Sequence, residues 1–204
     1  MPNPLSRVSP GAGVIIGNAG ARELSTRPQL AVLAMEAIAS SSNVEDFLLK
    51  LFMQRFGGGA SIAAKIYLAL DVDRAKTQAL AAAVDTLQDD KLKSLINAVI
   101  KLARTNTKIR NSLAHDVWGI SPQLPNALLL VDPKATLTDE LDRNEIYVWT
   151  EQDFRSLIAA NDRVCGYGLK LKWILQGHVA NREGRLFDEL YNQPEIQERL
   201  DRRA

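Results

Sequence analysis

Between residues 92 and 113 the apolar side chains Leu92, Leu95, Val99, Leu102, Ile109 and Leu113, with Asn106 among them, recur in steps of three and four. That is the period of a long helix packed in a bundle, and such a helix buries its stripe only if the chain supplies partners. Partners are present on both sides. From Pro28 onward Leu30, Leu33, Ala34, Ala37 and Ile38 form one stripe, with Pro28 suited to a first helical turn. Asn43, followed by Glu45 and Asp46, looks like an N-cap with an acidic first turn, so a second helix is predicted through Phe47, Leu48, Leu51 and Phe52. "ASIAAKIYLAL" continues as a helix, and Asp73 is the expected cap of the Ala-rich "DRAKTQALAAAVDTL".

After Gly119 the pattern changes, because "ALLLVD" and "EIYVW" are short, β-rich runs separated by Pro- and Asp-containing sequence. A small β-hairpin is predicted at about 126–149. Thr150 with Asp153 resembles a capping arrangement for a last long helix, loosened near Gly166 and Gly168 and ended by Gly177. Residues 1–27 are rich in Pro and Gly without a period and read as an irregular arm. Residues 181–204 read as a short helical C-terminal arm divided by Pro194. The predicted fold is therefore mostly α: a helical bundle over 28–180, with the hairpin inserted between the long helix and the last one.

The chain carries 25 basic and 24 acidic residues among 204, so any contact with nucleic acid must come from a local patch rather than from overall charge. Cys165 is the only cysteine, which removes intrachain disulfides and Cys-based zinc sites and fits a reducing compartment; a cytoplasmic location is expected. Apolar runs such as "ALLLV" fall far short of the roughly 20 residues of a membrane helix, and no secretory signal is read at the start, so no membrane partner is expected. Gly11, Gly13 and Gly17 lack the spacing and the preceding strand of a dinucleotide loop. The glycines at 57–59 lack the Lys and Ser/Thr of a phosphate loop and read as a hinge. Neither cofactor nor metal is expected.

Chemistry concentrates in "KIRNSLAHDVWG" at 108–119, the end of the long helix. At about 100° per residue, Arg110 and His115 lie about 140° apart, whereas Asn111 and His115 lie one turn apart. This second stripe needs a partner surface, either another helix of the chain or the same helix of a second copy. Cleavage of RNA by attack of a 2′-hydroxyl on the neighbouring phosphorus wants one group to take a proton and another to give one. The chain contains only His115 and His178, but a two-fold dimer brings two copies of His115 and two of Arg110 to one phosphate. Arg110 would neutralise charge growing on the phosphoryl oxygens, and Asn111 would orient His115 or the substrate. The alternative is non-catalytic: Arg110 pairs with a carboxylate, His115 caps the helix end, and the protein is a helical dimerisation or interaction module.

Elsewhere the plainer readings are preferred. His178, beside Gly177, reads as a cap, and Trp118, Trp149 and Trp173 read as core anchors. Arg155, Arg163, Lys170, Lys172, Arg182 and Arg185 are interspersed with acids and read as a solvated face. Cys165 reads as a small buried hydrophobe.

"RNSLAH", at the end of a long amphipathic helix in a helical bundle, resembles the R-x4-6-H motif of the HEPN family, the higher eukaryote and prokaryote nucleotide-binding domains. In that family a polar residue often follows the Arg, as Asn111 does here. The resemblance implies an α-helical bundle that forms a homodimer through the motif helices. It implies a metal-independent endoribonuclease acting on RNA, or an RNA-binding dimer that does not cleave, in a toxin–antitoxin or phage-defence system, with an antitoxin or regulatory protein as partner. Arg110 and His115 carry over as the catalytic pair and Asn111 as the positioning neighbour. Members silenced by nucleotide transfer carry a Tyr two residues after the His, where this chain has Val117.

Overall fold

In the computed structural model, residues 2–16, 22–55, 59–137 and 141–201 are described. In chain order the elements are β1 (Asn3–Pro4), α1 (Leu5–Val8), β2 (Ile15–Ile16), α2 (Arg22–Ser25), α3 (Pro28–Arg55), α4 (Ala60–Leu68), α5 (Asp73–Asp85), α6 (Asp90–His115), β3 (Val117–Ile120), β4 (Ala127–Val131), β5 (Ile146–Thr150), α7 (Glu151–Leu175), α8 (Arg185–Tyr191) and α9 (Pro194–Asp201). The chain is mostly helical with a small antiparallel sheet, and it divides into two compact units. One comprises Met1–Ser41 and Asn106–Ala160, the other Ser42–Thr105 and Asn161–Ala204.

The first unit is built on the sheet, whose order is β1-β5-β4-β3-β2. The expected hairpin is present as β4 and β5, in register from Ala127↔Thr150 to Val131↔Ile146. The hairpin expectation needs correcting in extent, because β3 pairs with β4 and the chain's first residues supply both edges. Those residues are not an irregular arm: Asn3–Pro4 pairs with β5 and Ile15–Ile16 pairs with β3. Between them Leu5 and Ala12 are buried against Ala127, Leu129, Val131, Ile146 and Val148 on one face of the sheet. On the other face Leu128, Leu130 and Trp149 pack with Leu30, Leu33, Ala37, Leu113, Phe154 and Leu157. Both faces of β4 are thus covered, which is why "ALLLV" is apolar throughout rather than alternating. Gly17 of the weighed dinucleotide loop lies outside the described residues.

The second unit is helical. Its core joins Val44, Leu48 and Phe52 of α3, Leu95 and Val99 of α6, Val164 and Leu171 of α7, Leu190 of α8 and Ile196 of α9. The C-terminal helices, separated at Pro194 as expected, are therefore part of this core. The expected start of a helix at Asn43 is overturned, since α3 runs through it without a break. Ser40 and Ser41 satisfy their hydroxyls on the carbonyl of Ala37, each at 3.0 Å, and so do not compete for the backbone of the next turn. Asp73 is the first residue of α5 rather than its cap, which is Val72. The helix α6 does have a side-chain cap, as Asp89 Oδ1 accepts from the N–H groups of Lys91 and Leu92 at 2.9 and 3.1 Å. Of the expected hinge glycines, Gly59 precedes α4, while Gly57 and Gly58 lie outside the described residues.

Arg104, with only 12% of its side chain exposed, ties α6 to α3 and α4: Nη1 meets Glu45 Oε1 and Nη2 donates to the Tyr67 hydroxyl, both at 3.1 Å. Burial pushes the Tyr67 hydroxyl above its ordinary range, against the pull of that guanidinium.

Thr150 and Asp153 form the expected capping pair of α7, with the Thr150 N–H donating to Asp153 Oδ2 at 3.1 Å and the Asp153 N–H donating to Thr150 Oγ1 at 3.4 Å. The helix ends as expected at Gly177, whose φ is +61°, with His178 N–H reaching back to the Trp173 carbonyl at 3.0 Å. It does not loosen at Gly166 or Gly168. Gly168 is instead a contact: a Cβ there would stand 2.3 Å from Cδ2 of Phe47. Overpacking in Gly168→Ala is expected to cost about 1–3 kcal/mol, of which helix propensity returns roughly 1, so a net destabilisation of up to about 2 kcal/mol is expected. Phe47→Ala in the same chain should relieve most of that loss, which a double-mutant cycle of thermal or urea unfolding measures.

Candidate functional site at the end of α6

Arg110, Asn111 and His115 occupy the last two turns of α6, in the first unit. The apolar stripe of the helix turns Leu113 into the core, where it is 1% exposed, and this leaves the motif side chains toward the surface. Arg110 and Asn111 are half-buried and His115 is exposed. Arg110 Nη1 donates to Asn111 Oδ1 at 3.2 Å, and among the described residues Arg110 pairs with no carboxylate. The bond draws the guanidinium round toward Asn111, which lies one helical turn from His115. The structure thus joins Arg110 to Asn111 but shows no contact between Arg110 and His115 among the described residues. The imidazole of His115 has no hydrogen-bond partner among the described residues, so it caps nothing there. Ala114 beside it is exposed and small.

The opposite side of the same turns faces a cavity of about 410 Å³. Ser112 and Asp116 line it from α6, Asp132 and Glu145 from the ends of β4 and β5, and Tyr147 and Trp149 from β5. No Lys, Arg or His lines it among the described residues, so it repels phosphate. Its three carboxylates do not converge on a metal, and no group of three or more His, Cys, Asp or Glu among the described residues could hold one. The cationic side chains of these turns, Arg110 and His115, are not among the cavity's lining residues. Sequence reasoning missed this cavity, because Asp132, Glu145 and Tyr147 meet α6 only through the register Leu130↔Tyr147 and Val131↔Ile146.

Asp116 is the link between the two sides. Burial raises its carboxyl above the ordinary 3.8, a hydrogen bond from Ser112 opposes this, Asp132 adds repulsion and His115 opposes it. A carboxyl raised in the fold binds its proton more tightly folded than unfolded, so its contribution to stability is intact at low pH and falls as pH rises through the ordinary value toward the folded one. Asp116→Asn is accordingly expected to raise Tm at neutral pH. The difference should vanish below about pH 4, in a pH series of thermal melts.

The other weighed residues take structural places. His178 caps the short turn that follows it, its Nδ1 accepting from Ala180 N–H at 3.1 Å, and its ring stacks on Trp173 at 5.6 Å. Trp149 is 3% exposed and Trp118 packs against the same cluster. Arg155, Arg163 and Lys170 are ion-paired with Glu151, Glu195 and Glu189. Cys165 is half-buried, and burial pushes its thiol up, with Asp162 and Asp46 adding to it. No helix among the described residues is long and apolar enough to cross a membrane. Compared with protein-family models, with curated proteins and with solved structures, the chain matches none of them.

Proposed function

We propose that the chain is a HEPN-like homodimer of the toxin or phage-defence type that cleaves RNA without a metal, with Arg110 and His115 of two copies meeting at one phosphate. The observation that carries this reading is the Arg110 guanidinium, bonded to Asn111 Oδ1 and to no carboxylate among the described residues, with the exposed His115 one turn beyond Asn111. An arginine kept only for stability is normally paired with an acid, and a histidine kept only as a cap is normally engaged. Both are open to an anion here.

The chemistry follows from those groups. One His115 takes the proton of the 2′-hydroxyl as its oxygen bonds to phosphorus. The His115 of the second copy, protonated, gives a proton to the departing 5′-oxygen as the P–O bond breaks, leaving a 2′,3′-cyclic phosphate. Arg110 donates to the phosphoryl oxygens, where negative charge grows. Exposed Ala114, beside His115, lets two such helices approach closely. In excess EDTA the wild-type protein is expected to cut single-stranded RNA to products with 2′,3′-cyclic ends. Inertness across varied RNAs would leave the non-catalytic interaction module as the better reading.

A further inference from the structure

The second unit carries a groove of about 800 Å³ between α3 and α7, within the roughly 300–1,000 Å³ of small-ligand sites. Phe47, Leu51 and Met53 line it from α3, and Leu169, 46% exposed, from α7. Phe47 seats closely against Gly168, and the Gln54 side chain, donating to the Lys172 carbonyl at 3.4 Å, ties the two helices. Among the described residues, three charged side chains stand on the wall of the groove. Asp46 and Lys50 neutralise each other across one turn of α3, whereas Lys172 of α7 meets no carboxylate among the described residues. Among the described residues the groove therefore combines solvent-facing apolar surface with one exposed lysine that meets no carboxylate.

We propose that this groove binds an acyl carboxylate, the chain lying along Phe47, Leu51, Met53 and Leu169 and the carboxylate meeting Lys172 Nζ. Each part answers a stated feature. Burying a methylene chain dries the exposed leucine and its neighbours, and an anionic head supplies the charge that Lys172 lacks. An alkyl ammonium of equal length meets repulsion at Lys172, and an alcohol meets no charge complement. The site is separate from the α6 motif and stands or falls without the RNA reading.

Cys165 lines the groove and is the only cysteine, so its alkylation reports occupancy at that place and nowhere else. The rate of reaction with iodoacetamide at alkaline pH would be followed by mass spectrometry on the full chain. Octanoate, decanoate and dodecanoate would be titrated below micelle formation, with decanol and decyltrimethylammonium for comparison. Decanoate is expected to slow alkylation saturably, by tenfold or more. The half-protecting concentration should fall about fourfold per added methylene, and Lys172→Ala should raise it about tenfold for decanoate but not for decanol. Each protein is referred to its own rate without ligand, which removes any change in thiol reactivity caused by the substitution. The proposal is overturned by absence of protection at every chain length, by equal protection from anion, alcohol and cation, or by indifference to Lys172→Ala. It is also overturned if alkylation slows with protein concentration alone, since a second copy would then cover the groove.

Discussion

Replacing His115 by Ala is expected to lower metal-independent RNA cleavage by about 10²–10⁴, the usual contribution of a positioned acid–base group, without unfolding the protein. His115 is exposed and has no hydrogen-bond partner among the described residues, and its charge interaction with Asp116 is the smallest of the causes acting on that carboxyl, so stability should stay within about 0.5 kcal/mol of wild type. Arg110→Ala should lose a comparable 10²–10³, and Arg110→Lys should recover only part of it, because a lysine keeps the charge but not the fork that can hold two phosphoryl oxygens. Mixing supplies a sharper test. If one site needs His115 from both copies, wild type exchanged with His115→Ala protein loses activity as the square of the wild-type fraction; a site complete in one chain loses it linearly. The assay is cleavage of end-labelled RNA in excess EDTA, with sedimentation confirming unchanged oligomeric state. Mutants that cut as well as wild type would end the catalytic assignment.

What could be read ahead of the structure divides along the range of the forces involved. The helix α6 was legible because its stripe from Leu92 to Leu113 records the packing along its whole length, and Gly177 and the Thr150–Asp153 pair were legible because capping is local. The strands at Asn3–Pro4 and Ile15–Ile16 were not, since two residues show no period and each is held by an edge more than a hundred residues away in sequence. Asn43 misled for a different reason. Its side chain suits a cap, yet burial of Val44 and Leu48 rewards a helix that continues, and Ser40 and Ser41 are already satisfied on Ala37.

The candidate site divides in the same way. Residue type and spacing picked out Arg110, Asn111 and His115, but helical geometry alone held Arg110 about 140° from His115. The contact that bends the guanidinium toward Asn111 joins adjacent residues, which ideal spacing does not pair, and it depends on the reach of a long side chain over a half-buried surface. The acidic cavity behind the motif was out of reach altogether, because strand pairing and not spacing brings Glu145 and Tyr147 to α6.

Phe154→Ala separates support of the motif from its chemistry. The ring is 0% exposed, 5.0 Å from Trp149 and 6.4 Å from Trp118, which follows His115 by three residues and packs in the same cluster as Leu113. Truncation leaves a void between two indoles that cannot close it, so a loss of about 3–5 kcal/mol is expected, against under about 1.5 for Phe154→Leu, which keeps most of the volume. At about 2–4 °C per kcal/mol for a chain of this length, the first unit of Phe154→Ala should melt roughly 10 °C earlier. With Trp173 of the second unit replaced by Phe in wild type and variant alike, tryptophan emission reports the first unit through Trp118 and Trp149. Because Phe154 touches none of the groups assigned to phosphate, cleavage per folded molecule should persist well below the new Tm and disappear along the melting curve. A Phe154→Ala protein that is folded yet inert at low temperature would mean that the aromatic cluster sets the geometry of Arg110 and His115, and the role of that cluster would change from support of the fold to positioning of the site.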